Sequence, residues 1–268
     1  MIPAKFDYKR ASSVSEAISL LGEHGSEAKV VSGGHSLVPA MKLRMSRPEV
    51  LIDIKRIPGL DTITEEGDEI VIGANCTHSQ VMRSEVVQNH LNIVYQAVSK
   101  IGDVQIRNRG TIGGSLAHAD PSSDYPAVVL ACDATIEVEG KEGKRSIPAT
   151  EFFLGLFWTA LAEEEIITAI RFPKVANGTY QKFFQSASRF AVVGVAAVQD
   201  GDGVKVGITG VAGTPYRATA VEDAYSGSSD AAEHAVDGIE DLMSDHFADE
   251  AYRAHLAKVM VKKALEAL

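Results

Sequence analysis

The chain of 268 residues has only two cysteines, Cys76 and Cys132, far apart in sequence. They form no Cys-x-x-Cys pair, and a thiolate-held iron–sulfur cluster needs four ligands. Two reduced, buried thiols are the expectation. Basic charge is also short: 26 lysines and arginines against 36 acidic residues leave a formal charge of −10. Nucleic acid requires a clustered basic surface, so no such partner is expected. No apolar run approaches the roughly 18 residues that span a bilayer. The opening Met1-Ile2-Pro3-Ala4-Lys5 has no signal-peptide pattern, so the expected setting is the cytoplasm. Gly-x-Gly-x-x-Gly and the Walker pattern are both missing, which excludes the Rossmann and P-loop routes to a bound phosphate. His35 and His118, even with Asp120 nearby, fall short of three convergent ligands, and no metal is expected. Trp158 is the single tryptophan and reads as core or interface.

What the chain does have is a pair of glycine-doublet loops, Val30-Val31-Ser32-Gly33-Gly34-His35-Ser36 and Gly110-Thr111-Ile112-Gly113-Gly114-Ser115. A loop of this kind can turn successive N–H groups toward one anion, and glycine lets a ligand reach the main chain. One doublet alone usually marks a turn. Here Ser32, His35 and Ser36 in the first loop, and Thr111 and Ser115 in the second, set polar groups beside the amides, and neither glycine core contains an acid. The pair implies a diphosphate held from both sides.

The remaining pattern is α+β. Ser13-x-x-Glu16 forms a capping box ahead of a helix that carries Val14, Ala17, Ile18 and Leu21 and ends by Gly22 and Gly25. Strands are expected at Ala28 to Val31 and Val50 to Ile54, and a hairpin at Ile63 and Ile70 to Ile72 around Glu66-Gly67-Asp68. Thr77-x-x-Gln80 starts another helix, and one more covers Asn89 to Ile101. A helix through Val128 to Ala131 and strands at Thr135–Val138 and Glu165–Phe172 follow. Val175 to Gly178 reads as a linker to an independent tail with strands Tyr180–Gln185, Ala191–Gln199 and Val204–Val211, closed by a helix over Tyr252 to Leu268. The expected divisions are 1–56, 57–176 and 177–268.

Ser32 through Arg44, with Leu37-Val38-Pro39-Ala40-Met41-Lys42-Leu43, resembles the first signature of the FAD-binding medium subunits of molybdenum hydroxylases. These are the flavin subunits of carbon monoxide dehydrogenase, nicotine dehydrogenase and xanthine dehydrogenase-like enzymes. Arg107-Asn108-Arg109-Gly110-Thr111-Ile112-Gly113-Gly114-Ser115-Leu116-Ala117-His118-Ala119-Asp120-Pro121 resembles the second signature, and Asp124-Tyr125-Pro126-Ala127 continues it. The resemblance runs the length of the chain.

It implies a vanillyl-alcohol-oxidase-type (PCMH-type) FAD-binding fold, with two α/β subdomains and a smaller C-terminal domain containing a three-stranded antiparallel sheet and helices. It implies that Ser32, Gly33, Gly34, His35 and Ser36, together with Thr111, Ile112, Gly113, Gly114 and Ser115, embrace the FAD diphosphate. Asp124 matches a cofactor-contacting position, and as a residue type it equally suits an N-cap of the following helix. Leu161 matches an apolar position near the flavin. Some relatives place a lysine near the flavin on the strand corresponding to Tyr180–Gln185; Gln185 falls at that position, with Lys182 close by as the amine able to stabilise a reduced anionic ring. An exposed strand lysine is the other reading of Lys182. Arg107 and Arg109 flank the second loop as diphosphate or acid partners.

The implied activity is electron transfer. The chain would take electrons from [2Fe–2S] clusters of a small partner subunit, beside a large molybdenum-cofactor subunit in a dimer of heterotrimers, and pass them from FAD to an external acceptor. The shortage of cysteine is consistent with clusters housed elsewhere. The alternatives are a self-contained FAD-dependent oxidase or dehydrogenase of the same fold and a flavin-storage protein.

Overall fold

The computed structural model describes residues 1–268. Three main sheets are laid down in chain order, beside a small two-stranded one that pairs Phe153–Gly155 with Trp158–Thr159. The first is parallel, with Val50–Asp53 between Asp7–Arg10 and Ala28–Val31. Its crossover helix, Val14–His24, buries Ala17, Ile18 and Leu21, which recur at helical spacing. The Ser13 side chain accepts from the Glu16 amide, while the Glu16 carboxylate turns to Ser12 rather than closing the capping box. Gly22 stays inside this helix; the stop is Gly25, at φ 52°. Ala28–Val31 then delivers the chain to Ser32 at the carboxyl end of a parallel strand, where α/β folds commonly place ligand loops.

The second sheet is antiparallel, in the order Ile63–Glu66, Glu69–Gly73, Ile166–Pro173, Thr135–Gly140, Gly143–Pro148. Ile70, Ile72, Ile136, Ile170 and Phe172 are all fully buried, one apolar face set by the two-residue period of a strand. Short helices join them in one core, among them Asn92–Ser99, Ile112–His118 and Tyr125–Ala131. The helix expected from Asn89 to Ile101 is two, Glu85–His90 and Asn92–Ser99, broken at Leu91, whose backbone leaves helical geometry while its side chain sinks into the core.

The third sheet has four strands rather than three: Gly178–Phe184, Ala191–Asp200, Gly203–Thr209 and the two-residue strand Tyr216–Arg217. The final strand is too short to show a period. The Glu250–Leu265 helix covers one face, against Val195 and Ala197; Ala196 and Val198 turn the other way and join Tyr180 in the central core. The tail thus contributes Tyr180, Ala196 and Val198 to the central core. Even the expected linker is fixed, since the Val175 amide bonds to the His90 carbonyl at 3.0 Å. No helix is long and apolar enough to cross a membrane.

Candidate functional site

The two glycine loops meet. Ser32 Oγ lies 3.3 Å from Thr111 Oγ1 and donates to Asn75 Oδ1 at 2.6 Å, while Asn75 Nδ2 donates to the Ile54 carbonyl at 2.7 Å. Beside this junction opens a cavity of about 640 Å³, within the range that holds cofactor-sized molecules. Ser32, Gly33, Gly34, His35 and Ser36 line it from one side, and Thr111, Gly113, Gly114 and Ser115 from another. Asp124 and Leu161 form further wall, and Ser188 to Phe190 enter from the third sheet.

The loops are not equivalent. The amides of Ser32, Gly33, Gly34, His35 and Ser36 donate to no acceptor in the protein. In the second loop the amides from Ile112 to Ser115 are all committed, Ile112 to the Cys76 carbonyl, Gly113 to the Ala74 carbonyl, Gly114 to Thr111 Oγ1 and Ser115 to the Thr111 carbonyl, which leaves the Thr111 amide as its one unmatched donor. The first loop therefore supplies a row of unmatched donors, and the second supplies hydroxyls and the start of the Ile112–His118 helix. Backbone donors of this kind can neutralise a diphosphate-sized dianion without a buried lysine, and the residues present fit such a group. Gly34 takes φ 73°, a bend that other residues resist.

Two of the sequence-derived residues stand outside the lining. Ile112 is fully buried in the core, because the helix it opens turns its side chain inward. Lys182 lies behind the wall: its ammonium pairs with Asp124 at 2.8 Å, with only 1 % of the side chain exposed, so it is no surface lysine. Asp124 stands at the N-cap position but its side chain caps nothing. Its carboxylate instead accepts from Tyr180 Oη at 2.6 Å and from Lys182. Burial pushes this carboxyl upward, opposed by Lys182, Tyr180 and Lys100. The flanking Arg107 serves main-chain carbonyls, reaching that of Ile101 at 2.7 Å. Trp158 is not core; it is 63 % exposed.

Other lining residues carried no local signal. Phe157 lines the cavity, packs against His118 at 5.1 Å between ring centres with the planes tilted by 45°, and holds φ 54°, unusual for an aromatic residue. His78 and Ser123 also face it. The capping box at Thr77 foretold the helix that begins at His78, but not that tertiary packing would carry this ring to the second loop. His35, by contrast, is exposed and turns Nδ1 to the Gly33 carbonyl at 3.2 Å.

Comparison with known proteins bears on this arrangement. Residues 4–175 match the family model described as the FAD binding domain in molybdopterin dehydrogenase, and residues 178–268 match the CO dehydrogenase flavoprotein C-terminal domain. The carbon monoxide dehydrogenase medium chain of Hydrogenophaga pseudoflava is 41% identical, with 100% of this chain and 98% of the relative covered. Subunit alpha of the 6-hydroxypseudooxynicotine dehydrogenase complex of Paenarthrobacter nicotinovorans is 36% identical over 99% of this chain and 95% of its own length. The solved carbon monoxide dehydrogenase from Hydrogenophaga pseudoflava superposes with a TM-score of 0.95 at 42% identity, covering 100% of this chain and 98% of that one.

Proposed function

The chain belongs to the family of FAD-binding subunits of molybdopterin dehydrogenases, and from that premise we propose that the cavity between its glycine loops seats FAD in an electron-transfer subunit. The observation that carries this reading is the run of five unmatched amides from Ser32 to Ser36, facing the Thr111 and Ser115 side of the same cavity. Those amides would hold the diphosphate, Ser32 and Thr111 would fix the junction, and Leu161 would exclude water from the cofactor. Bound FAD supplies the ability to gain and release electrons singly or in pairs. The chain's own residues supply position, and none need act as nucleophile or general base.

In this role the protein takes electrons from [2Fe–2S] clusters of a small subunit, beside a large molybdenum-cofactor subunit, and passes them to an external acceptor. A doubled heterotrimer in the cytoplasm is the expected assembly. The relatives' names support it, each being a chain or subunit of a larger dehydrogenase. Within the mixed helix-and-sheet fold we assign a PCMH-type arrangement with FAD subdomains at 1–56 and 57–176 and a C-terminal domain at 177–268. Ser32 to Ser36, Thr111 to Ser115, Asp124, Leu161 and Lys182 are the residues toward the cofactor; Ile112 and Lys182 would act from behind the cavity wall.

Purification from the native host tests the reading. One FAD per chain, with iron–sulfur and molybdenum subunits in the same complex, is the expected result. A colourless protein free of such partners overturns it.

A further inference from the structure

Buried polar atoms nearly always find partners. Beside this cavity several do not: His78 Nδ1, Ser123 Oγ and Tyr125 Oη are enclosed and unmatched within the protein. His78 and Ser123 both line the cavity wall, and behind it the His78 ring lies 5.5 Å from that of Tyr125. His78 as a residue is only 5% exposed.

Its placement is fixed from two directions. The His78 amide donates to the Gly110 carbonyl at 2.9 Å, and the ring lies so close to Gly110 that a β-carbon there would come within 2.6 Å of Nε2. Gly110 immediately precedes Thr111, so the imidazole sits at the root of the second loop. That loop has no free amide of its own between Ile112 and Ser115, so beyond the Thr111 amide a ligand on this side finds its polar contacts among side chains. Burial, with smaller contributions from His35 and Arg107, pushes the imidazole down to about 3, which keeps it neutral at physiological pH. A neutral ring offers one donor and one acceptor.

We propose that His78 is a cofactor-contacting residue, hydrogen-bonded through Nε2, the ring nitrogen that has no partner in the protein and, unlike the enclosed Nδ1, keeps accessible surface, to the oxygen-rich middle of the bound flavin nucleotide beside the second loop. This rests on the reading of the cavity as the FAD seat. It goes beyond the loop signatures, because the contact comes from a helix between them and belongs to neither glycine doublet.

The test uses the full chain stripped of flavin and titrated with FAD by fluorescence quenching, in wild type, His78→Leu and His78→Gln. Loss of one hydrogen bond predicts that Leu weakens FAD binding about tenfold, while Gln, which keeps a donor and an acceptor, stays within about threefold. Melting temperatures of the flavin-free variants separate folding from binding. In wild-type protein labelled with ¹⁵N at histidine, the His78 ring signals should shift on FAD addition, a response that packing alone would not give. Wild-type affinity in His78→Leu, equal weakening in Gln and Leu, or ring signals unmoved by saturating FAD would each overturn the assignment. If the wild-type chain takes up no FAD at all, the FAD reading falls with it; normal uptake indifferent to His78 removes this inference alone.

Discussion

Gly33 faces the backbone of Arg109 so closely that a β-carbon on it would lie 2.3 Å from the Arg109 carbonyl oxygen and 2.8 Å from Gly110 Cα. The glycine is required by the other loop. Its side-chain direction points into the contact between the loops. What a larger residue displaces is the second loop itself.

Gly33→Ala should therefore destabilise the protein by about 1–3 kcal/mol, the cost of forcing atoms into a filled space, and lower FAD retention. Gly203→Ala is the control. Its β-carbon would meet only the Asp200 carbonyl, at 3.4 Å, in a surface turn. Thermal melts and the flavin-to-protein absorbance ratio check both. Full flavin content and an unshifted melt in Gly33→Ala would refute the loop-contact account.

The Asp124–Lys182 pair is removed from water on both sides, with side-chain exposures of 5% and 1%. Removing one partner strands the other, so Asp124→Asn or Lys182→Met should each cost about 3–5 kcal/mol. The double variant should cost less than the sum of the two. The exposed Lys174–Glu65 pair offers the contrast, and Lys174→Met should change stability by no more than about 1 kcal/mol. Urea titrations of the four variants measure these differences; strict additivity at Asp124 and Lys182 would disprove the coupling.

Both thiols are held in the protonated form, with burial pushing Cys76 and Cys132 up to about 12. At pH 8 neither should react with a disulfide reagent until denaturant is added. The sign for stability follows from proton counts. Between the unfolded thiol value near 8.5 and about 12, the folded chain binds more protons, so stability falls as pH rises through that window. Rapid labelling of native protein at pH 8 would contradict this.

His78 works in the opposite direction. With the folded imidazole near 3 and the unfolded one near 6.5, the unfolded chain binds the extra proton as pH falls below 6.5. Stability contributed by the neutral ring is lost from pH 6.5 downward at about 1.4 kcal/mol per pH unit. Chemical denaturation at pH 7, 6 and 5 should show a shallower acid slope in His78→Gln than in wild type. Parallel slopes would mean that the ring is not held neutral.

Local chemistry was legible where a motif answers to its own neighbours. The Thr77 capping box closes as its spacing requires, with Gln80 Oε1 accepting from the Thr77 amide at 2.8 Å, and the Glu66–Glu69 hairpin register follows its turn. The glycine loops announced themselves because backbone geometry writes itself into composition. Hidden were features decided by distant packing: the break at Leu91, the strand Tyr216–Arg217, the approach of His78 to Gly110, and the division of labour between the loops. That last difference depends on carbonyls of Ala74 and Cys76 reaching the second loop's amides, which no spacing within the loop encodes.

The helix Tyr125–Ala131 is wedged between the central core and the third sheet. A β-carbon on Gly207 would fall 2.1 Å from the Ala127 carbonyl, and Thr209 Oγ1 donates to the carbonyl of Ser123 at 2.9 Å. Residues 178–268 thus hold Asp124 and Ser123 in the cavity wall from behind. A chimera joining the first 177 residues to a relative's tail would inherit a misfitted keystone unless the incoming strand also carried glycine opposite Ala127.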